Sequence, residues 1–224
     1  GLDEDEGEAH ATAGGLRIGK DLPEGKRDAP VDSRMEWERD GQYYHYLTKW
    51  MHALGRLGSA TGKNVYHRWA LELAEAAHQA FVITGRHGAP KRMVWKMSID
   101  LSYPLISSMG QHDPLDGFVT YQELVEAAPK KAAWPDLDAE IGEMKSICQG
   151  LRWETADALG IGGLLTDSYR LAQLVLPQDG FGMELLAEVV TAAATSLGQY
   201  VRLGSLDEPL DYRLAFRELG LALG

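Results

Sequence analysis

The densest group of reactive side chains in the sequence is Gln111-His112-Asp113-Pro114-Leu115-Asp116. Glycoside hydrolysis needs two carboxyl groups, one to give a proton and one to act as base or nucleophile. They stand about 5 Å apart for retention and roughly 6.5–9.5 Å apart for inversion. His112 beside them would bind a sugar hydroxyl or move a proton. Epimerisation beside a carbonyl would instead use a pair of histidines as base and acid. The same residues also write a helix start, with Asp113 as N-cap, Pro114 in the first position and Asp116 at the positive end. Pro-Leu-Asp recurs at 209–211 without the Gly-Gln-His that leads into it here, so the tripeptide builds a helix start. Gln111 and His112 do not recur and are the better candidates for a specific task. A helix N-terminus favours ionised carboxylates, which makes Asp113 and Asp116 bases or nucleophiles and requires an acid from elsewhere. Asp100, set between Ile99 and Leu101, is the candidate for that acid, since a carboxylate in apolar surroundings is either paired or functional.

A second group enters the first strong helix: Asp40, Tyr44, His45, Lys49 and His52. His45, Lys49, His52 and Arg56 fall on one stripe, which also fits an ordinary solvent-facing surface. Histidines seven residues apart are too far for a metal pair on adjacent turns, so no metal site is expected. Trp37 and Trp95 lie beside charged residues outside the main helices and are candidate platforms for stacking a sugar, whereas Trp50 and Trp69 have the spacing of core residues. Leu159-Gly160-Ile161-Gly162-Gly163 lacks the βαβ setting of a dinucleotide loop and the Lys-Ser/Thr of a phosphate loop. No nucleophile elbow is present, and no cofactor is called for.

The elements that must position these groups are helices. Tyr43, Tyr46, Leu47, Trp50, Leu54 and Leu57 recur at three- and four-residue steps, and Thr61-Gly62-Lys63-Asn64 stops that helix and caps the next. Val65, Trp69, Leu73, Ala76, Ala77 and Ala80 mark the returning helix, so the short loop makes an antiparallel hairpin. Further helices are expected at 115–128, 137–149, 162–176, 181–203 and 209–223, with a turn at 177–180. Residues 92–106 alternate as an extended crossing. Residues 1–34, polar and acidic at the start, read as an extended arm ahead of a single domain over 35–224.

The chain has 224 residues, 45% hydrophobic and 25% charged, which suits one globular domain. A net charge of -11 argues against nucleic acid as a partner. No apolar run reaches the roughly 18–20 residues of a membrane span, no signal peptide opens the chain, and Cys148 stands alone. A soluble, cytoplasmic protein is expected, its oligomeric state open. With Gly1 in place of Met, a trimmed or excised piece is expected.

The residues from His112 to Leu124 align with those from Asp207 to Leu219, with Asp157-Ala158-Leu159 as a fainter copy and Asp40-Gly41 as an echo. Such repeats point to stacked or closed helical hairpins. Three segments, Glu36 to Leu54, Trp95 to Leu101 and Ser108 to Gly117, resemble bacterial proteins of the six-hairpin glycosidase-like superfamily. The resemblance spans roughly 14–224. It implies an all-α fold, an α/α toroid or partial toroid, with a carbohydrate cleft at one end. Glycoside hydrolases and sugar epimerases are both among its relatives. It implies that Asp40, Tyr44 and His45 face the cleft at the helix start, ahead of His52. Three to four hairpins are countable against the toroid's six, so the chain is truncated, the ring is open, or part of it comes from elsewhere. The expected partner is a carbohydrate, with a glycoside hydrolase-like enzyme first, a cofactor-independent epimerase second and a non-catalytic binding repeat third.

Overall fold

The computed structural model describes residues 4–27, 32, 35–85, 90–131, 133–175, 179–204, 207, 209 and 215–224. The chain is mostly helical, as its periodicity predicts, and divides into two compact units, Gly1–Gln149 and Gly150–Gly224, where a single domain over 35–224 was expected.

The first unit opens with a short helix α1 (Glu4–Ala9), after which residues 15–26 run without helix, with a single bridge at Leu22. This arm lies on the unit. Thr12 Oγ1 donates to Trp69 O at 2.6 Å, Trp69 Nε1 donates to Ala9 O at 2.9 Å, and His10 Nδ1 pairs with the buried Glu72 at 2.7 Å. A 3-10 turn (Met35–Trp37) and strand β1 (Gln42–Tyr43) lead into helix α2 (Tyr44–Thr61), and α3 (Asn64–Phe81) returns beside it. The stop at Gly62 is as expected, but Asn64 is the first helical residue and Lys63 the cap position.

The buried stripe of α2 is Tyr44, Leu47, Thr48, Met51, Leu54, Gly55 and Gly58. It is turned from the predicted one: Trp50 is 55% exposed, and Tyr46 and Leu57 also face outward. The reason is the two glycines, which let other elements close in, with Leu124 against Gly55 and the His67 ring against Gly58. Each fully buried apolar side chain on this face contributes about 1.5–3 kcal/mol.

The crossing expected over 92–106 is two strand pairs. β2 (Val82–Ile83) pairs antiparallel with β3 (Arg92–Met93), and β1 pairs antiparallel with β4 (Lys96–Met97), placing Tyr43 opposite Lys96. Helix α4 (Asp113–Ala127) packs on α2, α3 and α5 (Asp138–Cys148). Its closest approach is at Gly117, where a Cβ would lie 2.2 Å from Tyr44 Oη and 2.4 Å from Met144 Cε. Tyr44 is fully buried there and its hydroxyl donates to Tyr121 Oη at 3.0 Å. Gly117→Ala is therefore expected to lower stability by about 1–3 kcal/mol through overpacking, read as a lowered urea midpoint at unchanged slope.

The second unit holds α6 (Ala158–Leu174), α7 (Gly180–Arg202) and α8 (Ala215–Leu223), with α7 and α8 packed on α6. Helix α6 starts four residues before its predicted position. Asp157 is its N-cap, its carboxylate accepting from Gly160 N–H at 3.2 Å. The glycines at 160–163 therefore lie inside a helix, and Gly162 lies against the Gly220 backbone. By length and composition α7 is apolar enough to cross a membrane, which the expectation of no such run did not foresee. The turn expected at 177–180 and the second Pro-Leu-Asp copy fall largely on 176–178, 208 and 210–214, outside the described residues.

Candidate functional site

Helix α4 brings its two aspartates to the start of α2. Asp116, 7% exposed, accepts from Thr48 Oγ1 at 2.6 Å and from Lys49 Nζ at 2.9 Å through Oδ2, while Oδ1 accepts from Thr120 Oγ1 at 3.3 Å. Lys49, expected to bind substrate, thus holds a carboxylate with its tip while most of its stem stays exposed. Asp113 lies one turn earlier, in the first helical position, and Pro114 follows it. The cap position belongs to His112, which makes no side-chain cap bond, so Asp113 is not the N-cap that its position suggests. Its carboxyl lies against Gly110, where a Cβ would stand 2.1 Å from Oδ2, and that buried oxygen has no hydrogen-bond partner.

Burial pushes the Asp113 carboxyl up to about 7, the Asp116 charge adds to the rise, and Lys49 opposes it. The expectation that Asp113 would be favoured as an ionised base is overturned, because burial outweighs the helix dipole. One carboxyl of the pair holds its proton near neutral pH while the other accepts from a lysine and two hydroxyls. That division suits an acid beside a fixed charge.

An aromatic cluster lies at the start of α2, and its His45 feels the charge of Asp116. Trp37, at the end of the 3-10 turn, and Trp95, in the bend between β3 and β4, stack with centroids 4.4 Å apart and planes at 19°. Trp37 remains 49% exposed. Trp95 Nε1 donates to Ser108 Oγ at 3.1 Å, in the segment that leads to Gly110 and the exposed Gln111. His45 joins the cluster to the carboxylates. Its ring is 6.4 Å from Trp37 and 4.5 Å from Tyr46, and it feels the charges of Asp116 and Lys49. Burial pulls the imidazole down to about 4 despite the upward pull of Asp116, so the ring is neutral at pH 7.

Other candidates lie elsewhere. Tyr44 points into the core rather than toward a cleft. Asp40 is 1% exposed, and its Oδ1 accepts from Gly19 N–H and Gly41 N–H at 2.8 Å each. Burial raises its pKa, but those backbone bonds and Arg17 outweigh it and leave the carboxylate below its ordinary range. It pins the arm. Asp100 cannot be the missing acid. It is exposed, and bonds from the Ser102 and Ser98 hydroxyls and the Ser102 N–H bring it down to about 2. His52 pairs at the surface with Glu123 at 3.2 Å.

Three residues of the site escaped the sequence reading. Thr48 is legible afterwards as a polar residue inside an otherwise apolar stripe, and Ser108 offers no signal. Tyr43 has the spacing of a core residue, yet its hydroxyl, with one hydrogen to give, lies within bonding distance of the carbonyls of Arg39 and Glu36 that flank Trp37. Among the described residues no group of three or more possible ligands could hold a metal ion. Comparison of the chain with protein-family models, curated proteins and solved structures finds no match.

Proposed function

We propose that the starts of α2 and α4 form a carbohydrate site of glycoside hydrolase type, with α2–α3 and α4–α5 as hairpins of an α/α toroid. The observation that carries this reading is a stacked indole pair, half-exposed at Trp37, linked through His45 to a divided carboxyl pair. Stacked indoles offer a flat apolar face to the C–H face of a pyranose ring, and Gln111 and His112 lie at the start of α4 beside the carboxyl pair. Asp113, holding its proton near neutral pH, donates it to the glycosidic oxygen as the bond to the anomeric carbon breaks. The leaving sugar departs as an alcohol. Water adds to the anomeric carbon, and the proton it sheds returns a carboxyl to its acid form. Asp116 stays charged on Lys49 and Thr48, and its field keeps the Asp113 proton in place.

The test is release of reducing sugar from a panel of oligosaccharides by the wild type and by Asp113→Asn. A substrate whose hydrolysis falls by about 10²–10⁴-fold in the variant is the expected result. Binding without product would favour the non-catalytic repeat. A product of unchanged chain length and inverted configuration would favour epimerisation.

A further inference from the structure

The indole pair is held from behind by a buried ion pair whose two members are the sequence neighbours of the two tryptophans. Glu36 precedes Trp37 and Lys96 follows Trp95. Lys96 is fully buried, and its ammonium has three hydrogens for three acceptors: Glu36 O at 2.6 Å, Glu36 Oε2 at 2.9 Å and Arg39 O at 3.1 Å. Those carbonyls flank Trp37. Tyr43, opposite Lys96 in the β1–β4 ladder, places its ring 4.9 Å from the ammonium and directs its hydroxyl to the same two carbonyls. The same Tyr43 ring lies 6.3 Å from Trp37 and 5.5 Å from Trp95.

We propose that Lys96, Glu36 and Tyr43 are positioning residues that lock the 3-10 turn onto the β3–β4 bend and so set the stacking geometry of Trp37 and Trp95. Ser108 also holds Trp95 and Lys20 also donates to the Trp37 carbonyl, and the clamp adds the tie between the turn that carries Trp37 and the strand that follows Trp95. A buried lysine that spends all three hydrogens on one turn fixes where that turn sits. Removing the clamp lets Trp37 swing away while both helices of the hairpin keep their packing. The inference rests on the carbohydrate reading for its purpose, but not for its geometry.

The geometry is read by circular dichroism, because coupled transitions of stacked indoles split the far-ultraviolet band into a couplet. Loss of the couplet in Trp37→Phe assigns it to this pair among the six tryptophans of the chain. The double variant Glu36→Gln/Lys96→Met leaves no buried charge unpaired. It is expected to keep the helical signal and lose the couplet. Tyr43→Phe, which removes only a hydroxyl, is expected to weaken it and serves if the double variant does not fold. A full couplet in folded variants overturns the clamp. Titration of wild-type tryptophan fluorescence with cellotetraose separates the two levels. Quenching that disappears with the couplet supports both. No quenching in a wild type whose couplet depends on Lys96 overturns a cello-oligosaccharide ligand and leaves the clamp standing.

Discussion

Asp113→Asn is expected to make the protein more stable at pH 8 while leaving its stability at pH 4 nearly unchanged. The folded carboxyl sits at about 7 against an ordinary 3.8. Between those values the folded protein keeps a proton that the unfolded chain has lost. The contribution of this group is thus fully present below about pH 4 and is lost as pH rises toward 7. Above pH 7 both states are ionised, and the folded state bears the whole cost of a carboxylate whose Oδ2 is buried without a donor. A carboxyl displaced this far represents on the order of 4 kcal/mol, of which an amide of the same shape recovers about 2–4 kcal/mol. Urea melts of the two proteins at pH 4 and pH 8 measure it. Equal stability at both values would mean that Asp113 is an ordinary surface carboxylate. A gain in stability with a loss of turnover is the pattern of a residue kept for chemistry at the expense of the fold.

The second large effect concerns Lys96. Replaced alone by methionine, it leaves Glu36, 5% exposed, with only the partly exposed Arg39 guanidinium at 3.6 Å, and the expected loss is about 3 kcal/mol. Glu36→Gln in the same chain removes the buried charge that lost its main partner, so the double variant is expected to recover most of that loss. Thermal or urea unfolding of the two single variants and the double closes the cycle. Additive losses would show that the two side chains stabilise the fold independently and would dissolve the pair. Burial draws the Lys96 ammonium below its ordinary range even though Glu36 pulls the other way, which is the expected balance for a lysine with no water around it.

How much of this was legible differs from element to element. The hairpin from Tyr44 to Phe81 follows from apolar spacing and the stop at Thr61–Gly62, four further helices fall within four residues of their predicted bounds, and the last, expected from 209, is described from Ala215. Periodicity does not say which way a helix is turned when two glycines replace apolar residues on the buried side. Trp50 therefore reads as core and is exposed, and Tyr44 reads as cleft and is core. The carboxyl pair at 113 and 116 is evident from the sequence, along with Lys49, His45 and the two indoles. The protonation of the pair is not, because it depends on how deeply α4 is set against α2. Asp100 illustrates a signal that was present and passed over: serines two residues to either side are the local donors that such a carboxylate uses. The Glu36–Lys96 pair spans sixty positions and joins a turn to a two-residue strand, too short for any alternation to reveal. A lysine between Trp95 and Met97 looks like an ordinary surface residue.

The most direct test of the carbohydrate site is a thermal-shift titration of wild type, Asp113→Asn and Trp37→Ala with a panel of mono- and oligosaccharides. A saccharide that raises the melting temperature of the wild type and of Asp113→Asn, but not of Trp37→Ala, is the predicted result. It would place the ligand on the indole face and confine Asp113 to the chemical step. No shift with any saccharide, or a shift that survives the loss of Trp37, would contradict the account.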